Sequence, residues 1–101
     1  VAKLDNSLPS EFALDQNYPN PFNPTTTISF SLPTPSDVSL KVYNVIGQEI
    51  VTLMDGSYNR GNFEVTWNGK DGWGQSAGTG MYLYRLEVGN FTATKKMLLV
   101  K

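Results

Sequence analysis

Cysteine and histidine are both absent from this chain. The first absence removes disulfides, zinc–thiolate centres and thiol nucleophiles. The second removes imidazole acid–base chemistry and the commonest transition-metal ligand. Charge is sparse too: 17% of the 101 residues are charged and the net charge is −1, so no global field draws the molecule toward nucleic acid or an acidic membrane surface. No apolar run approaches the roughly 20 residues of a membrane-spanning helix, so no membrane insertion is expected. Neither a signal peptide nor an initiator Met opens the sequence, and the expectation is a piece of a longer chain. Catalysis would have to rest on paired carboxylates or a Ser–Lys pair. The acids Glu11, Asp15, Asp37, Glu49, Asp55, Glu64, Asp71 and Glu87 are instead scattered through loops and polar strand faces. We expect no enzyme, no catalytic residues and no cofactor.

What the chain does contain is 40% hydrophobic residues, 12% aromatics and many turn-formers, enough for one domain with its own core. The densest feature is Asn17-Tyr18-Pro19-Asn20-Pro21-Phe22-Asn23-Pro24, with three prolines and three asparagines in eight residues. Each proline fixes its own φ and pushes its predecessor toward extended geometry, so this cannot be helix. Asparagine side chains can bond back to nearby backbone, which predicts a stiff, self-capped corner with Phe22 plugging an open end of the fold. Directly after it Ile28, Phe30 and Leu32 alternate with Ser29 and Ser31, which is strand periodicity.

The rest of the chain continues in that manner. Residues 1–11 read as a linker from a preceding domain, and residues 12–101 as the folded unit. Strands are predicted at Phe12–Leu14, Ile28–Leu32, Val38–Val42, Ile50–Met54, Phe63–Trp67, Met81–Val88 and Phe91–Val100, with Asp55–Gly61 and Asn68–Gly80 as loops. Gly89-Asn90 is a two-residue hairpin turn. Counting outward from it pairs Val88 with Phe91, Leu86 with Ala93, Tyr84 with Lys95 and Tyr82 with Met97 on the core face. Lys95 is the polar outlier there, its stem expected beside Tyr84 and its ammonium in water. Trp67 belongs to the Phe63/Val65 face and to the core. The fold class is all-β, an immunoglobulin-like antiparallel β-sandwich of about seven strands.

These residues also carry a family resemblance. Phe12-x-Leu14-x-Gln16 through Pro24, Val42-Tyr43-Asn44-Val45-Ile46-Gly47-Gln48, Trp67-x-Gly69-x-Asp71-x-x-Gly74, Gly78-x-Gly80-x-Tyr82-x-Tyr84-Arg85-Leu86 and Lys95–Lys101 follow in order. Together they resemble the C-terminal sorting domain of the type IX secretion system (type A, Por secretion family). The second half is similar to the immunoglobulin-like domain of flagellar hook-capping proteins. The resemblance implies a module at the end of a secreted cargo protein, passing through the periplasm to the cell surface or medium. Its implied partners are the outer-membrane translocon, a sortase-like peptidase and the N-terminal cargo domain. It places the export signal on Lys95, Lys96, Met97 and Lys101, and any cleavage within or before residues 1–11. A terminal strand is often a sheet edge, so pairing with a partner's sheet, or a weak edge-strand dimer, is a further expectation.

One rival reading is a carbohydrate-binding or surface-adhesion module, with Trp73 and Tyr58 as the stacking platform. Asp71 and Asp55, in Gly-rich turns, are poor calcium candidates because neither Asp-x-Asp spacing nor a following Glu is present. An Asx-type turn is the simpler account of Asp71.

Overall fold

The structure, a computed structural model, describes residues 9–101. Most of the expected linker, residues 1–8, therefore lies outside the described residues. Seven strands follow in chain order: β1 (Ala13–Leu14), β2 (Thr26–Leu32), β3 (Ser36–Asn44), β4 (Glu49–Tyr58), β5 (Gly61–Trp67), β6 (Gly80–Val88) and β7 (Phe91–Leu99). They form two antiparallel sheets, β1-β2-β5 and β4-β3-β6-β7, packed as an immunoglobulin-like sandwich.

Alternation along each strand decides what enters the core. Ile28, Phe30 and Leu32 of β2 meet Val38, Leu40 and Val42 of β3 and Tyr82, Tyr84, Leu86 and Val88 of β6, all buried. The β6–β7 register runs from Val88↔Phe91 to Gly80↔Leu99, as the two-residue turn at Gly89 dictates. Gly89 has φ 57°, the positive value a primed hairpin turn requires of its first residue. Lys95 sits opposite Tyr84 and is half-buried.

Two tyrosines of β6 anchor that strand through their hydroxyls. The Tyr82 hydroxyl donates to the Gly78 carbonyl, four residues upstream, at 2.6 Å, the arrangement of a tyrosine corner. Tyr84, two residues on, stands where the second cysteine of an antibody domain would be. Its hydroxyl donates to the Asp15 carbonyl (2.7 Å) and accepts from the Asn17 N–H (2.8 Å), tying β6 to the segment after β1. Trp67 fills one end of the core, its ring 5.6 Å from Phe22 and 5.4 Å from Tyr82, and its indole N–H donates to the Lys70 carbonyl.

Several strand ends differ from the sequence reading, Ser36, Asp37, Gly61 and Gly80 falling in strand and Val100 outside it, and the largest difference is at the end of β4. Asp55–Tyr58 is strand, not loop, because β3 is long enough to supply partners: Ser39 for Asp55, Val38 for Gly56, Asp37 for Ser57 and Ser36 for Tyr58. A polar, glycine-containing stretch looks like a turn, yet an outer strand with one face in water tolerates such residues. Asn68–Thr79 is irregular as expected, with one bridge between Lys70 and Ser76.

Candidate functional site

Strand directions sort the connections to two opposite poles. Residues 33–35, 59–60 and 89–90 lie at one, and the chain enters there. Phe12 stacks on Phe91 (5.3 Å between rings), and the Pro9 carbonyl accepts a bond from the Arg60 guanidinium (3.2 Å). The corner 15–25, the hairpin 45–48, the loop 68–79 and residues 100–101 gather at the other. Every sequence block singled out above has one end at this second pole.

The corner builds much of it. Asn17 is 3% exposed, and its amide donates to the Pro19 carbonyl (3.2 Å) and to Thr26 Oγ1 (3.0 Å), while its Oδ1 accepts from Gln16 (2.7 Å). The Thr26 hydroxyl donates to the same Pro19 carbonyl at 2.9 Å. The three prolines follow cis peptide bonds, and Pro19, Asn20, Pro21, Asn23 and Pro24 stay exposed while Phe22 is buried against Trp67. Gly69 holds the corner against the loop: its φ is 76°, and a Cβ there would lie 2.8 Å from the Pro24 carbonyl oxygen.

The same corner covers β7. Phe22 N–H donates to the Leu98 carbonyl (3.0 Å) and Val100 N–H to the Phe22 carbonyl (2.9 Å), a parallel bridge alongside the strand. Asn20 Oδ1 accepts from Leu98 N–H (3.0 Å), and the Gln16 amide donates to the Lys96 carbonyl (2.7 Å). Strand β7 is therefore outermost in its sheet, but the open edge expected of it is already engaged along its C-terminal half. The expected edge-to-edge pairing and edge dimer meet an edge that is occupied there. The proline motif signalled a corner, but only the three-dimensional fold puts that corner beside the last strand.

The expected signal residues divide by environment. Met97 is 1% exposed and part of the core, whereas Lys96 and Lys101 point into solvent and Lys95 is half-buried. A partner can touch Lys96 and Lys101 directly, and can feel Met97 only through the fold.

The proposed sugar platform is not assembled. Trp73 is 91% exposed and lies beside the start of β4, where Gly72 N–H bonds the Ile50 carbonyl (3.0 Å). Tyr58 closes β4 at the entry pole, edge-on to Phe63. Eight residues of strand, about 26 Å, separate Ile50 from Tyr58. Asp71 is engaged too: its Oδ1 accepts from the Trp73 and Gln75 N–H groups, both at 2.9 Å, in an Asx-type turn. Asp55 lies five residues along β4 from Ile50, so the two acids do not converge. Among the described residues no cluster of three or more metal-ligating side chains occurs.

Among the described residues six large apolar side chains are exposed, and these belong to the far pole: Tyr18, Val45, Ile46, Trp73, Met81 and Val100. Of these six, the sequence singles out only Trp73 as a surface candidate. Gly47, with φ 86°, marks the tight connection that holds Val45 and Ile46, but an apolar pair in a turn carries no sign that it faces solvent.

The fold is shared with several solved structures. Dimeric latent PorU from Porphyromonas gingivalis superposes with a TM-score of 0.70 at 22% identity, over 95% of this chain and 10% of that one. PorZ, described as an essential surface component of the type IX secretion system of the same organism, gives 0.59 at 18% identity, over 89% and 11%. FlgD from P. aeruginosa gives 0.58 at 21% identity, over 92% and 74%. The chain thus spans only about a tenth of PorU or PorZ. None of the curated proteins matches it. The FlgD Ig-like domain matches residues 15–90, most of the corner-to-hairpin span just described, and this chain belongs to that family.

Proposed function

We propose that this domain is a non-catalytic module that directs a preceding cargo protein through the type IX system to the cell surface. The observation that carries the reading is the polarity of the sandwich. The chain enters at one pole, and the five motif blocks converge on the other, which a cargo attached ahead of residue 9 leaves accessible. Likeness in fold to PorZ, a surface component of that system, supports the same reading. In it the translocon and a sortase-like peptidase are the partners, and Lys96 and Lys101 are the charges presented to them. Met97 and Lys95 contribute by holding β7 in the sheet. The linker role of residues 1–11 and any cleavage there belong to this proposal as well.

Deleting Lys96–Lys101 would be a poor test, because it removes Met97 and Leu99 from the core and the partners of Phe22 and Asn20. The better experiment fuses a folded reporter ahead of Val1 and follows it in type IX-proficient and translocon-deleted cells. Reporter on the surface or in the medium only when the translocon is present is the expected result. Lys96→Glu with Lys101→Glu should then lower export while leaving the melting curve unchanged. Reporter retained in the periplasm of cells that export a control cargo overturns the reading.

A further inference from the structure

The outer face of the four-stranded sheet is ordered in layers from the far pole downward. At the pole Met81 stands opposite Leu98, and the hairpin tip Val45-Ile46 projects beside them. The next row is Glu49–Tyr43–Leu83–Lys96 across the four strands, followed by Thr52–Lys41–Arg85–Thr94. Below these come Asp55–Ser39–Glu87–Thr92 and then Ser57–Asp37. The order is an apolar tip, a belt of three cations (Lys41, Arg85, Lys96) and a base carrying Asp55, Glu87 and Asp37.

We propose that the far pole is a membrane-interface contact, seating its apolar tips just below the headgroups of an anionic lipid surface with the cation belt level with the phosphates. Three observations carry it. First, Tyr18, Val45, Ile46, Trp73, Met81 and Val100 are 41–91% exposed and come from separate loops and strand ends. Protein interfaces pack such residues into a continuous core, whereas a lipid layer moulds itself around separate tips. Second, Trp73 and Tyr18 are the side-chain types that favour the boundary between hydrocarbon and water.

Third, the depth fits. Four residues of extended strand separate Val45 from Lys41, about 13 Å. An apolar face sinks about 5–10 Å at such a boundary and the headgroup layer adds about 5–8 Å, so the belt reaches phosphate level. Arg85 lies over the Tyr43 ring at 5.1 Å, and the exposed Lys96 belongs to the same belt. Lys41 is partly spent on Glu49 at 3.4 Å. This contact is peripheral, needs no spanning segment, and does not rest on the type IX reading.

The chain carries its own probe. Trp67 is 1% exposed and Trp73 is 91% exposed, so a change in tryptophan emission on binding reports Trp73. Vesicles of equal parts phosphatidylcholine and phosphatidylglycerol should shift that emission to the blue and carry the 101-residue chain down on centrifugation. Vesicles of phosphatidylcholine alone should do so much less. Ile46→Asp should abolish the shift, and Lys96→Gln should weaken binding roughly five-fold at low salt. Both sites are on the surface, and an unchanged melting curve confirms that each variant folds. The proposal is overturned if mixed vesicles leave the emission and the sediment unchanged, or if Ile46→Asp binds like the parent. Capture of an outer-membrane protein without vesicle binding likewise overturns it, in favour of a protein partner. Export of the reporter is measured separately, so failure of either idea leaves the other standing.

Discussion

At the scale of single residues, Tyr84 is the group on which most depends. It is fully buried, and its hydroxyl is both acceptor for Asn17 N–H and donor to the Asp15 carbonyl. Tyr84→Phe keeps the ring but leaves the buried Asn17 N–H unpaired, so urea unfolding should show a loss of about 1–3 kcal/mol. Burial pushes the Tyr84 phenol up to about 12, the nearby Asp15 charge adding and the Asn17 N–H opposing. An unfolded tyrosine titrates near 10, so below that pH both states keep the proton and the contribution is complete. As pH rises through the folded value the unfolded chain ionises first, and stability falls by on the order of 2–3 kcal/mol. The difference between parent and Tyr84→Phe, measured from pH about 9 to about 12, should narrow over that window. A constant difference would mean that the hydroxyl is not the titrating group.

At the scale of elements, the corner and β7 act as one unit although some 75 residues lie between them. Asn20 Oδ1 caps Leu98 N–H, and Phe22 exchanges two backbone bonds with the same strand end. Asn20→Ala should therefore speed hydrogen exchange at the Leu98 amide, and at Val100 to a lesser degree. Amides paired between β6 and β7, such as those at Gly80–Val88, should keep their protection. Equal acceleration across the whole β6–β7 hairpin would show that global stability, not the local cap, had changed. The β6–β7 register was legible in the sequence because a two-residue turn leaves one way to count. The end of β4 was not, since Gly56 and Ser57 are strand only by virtue of the length of β3.

At the scale of the whole molecule, entry and motif pole lie at opposite ends of the sandwich. This arrangement makes the two termini unequal. A folded domain added ahead of Val1 joins the described chain through Pro9 at the entry pole, whereas one added after Lys101 is attached directly at the far pole. Export of a reporter should therefore survive an N-terminal fusion and drop sharply, at least ten-fold, when a folded tag follows Lys101. Equal export of the two fusions would remove the far pole from the recognition step. The Trp73/Tyr58 pair illustrates the same point from the other direction: two exposed-looking aromatics in glycine-rich stretches were assigned to one platform, and the length of β4 puts them at different poles.

What the sequence determined by itself was local and periodic. Alternation named Ile28, Phe30, Leu32, Trp67, Tyr82 and Tyr84 as inward, turn chemistry set the last hairpin, and proline spacing marked a corner. The exclusion of cysteine and histidine chemistry likewise needed no coordinates. Tertiary structure alone decided that the corner would cap β7, that Met97 would be hidden while Lys96 stayed open, and that six apolar tips would share one pole. The reason is physical. Periodicity records which way a side chain faces along its own strand, whereas contacts between residues 15–24 and 96–100 depend on how the two sheets stack and on which strand ends outermost.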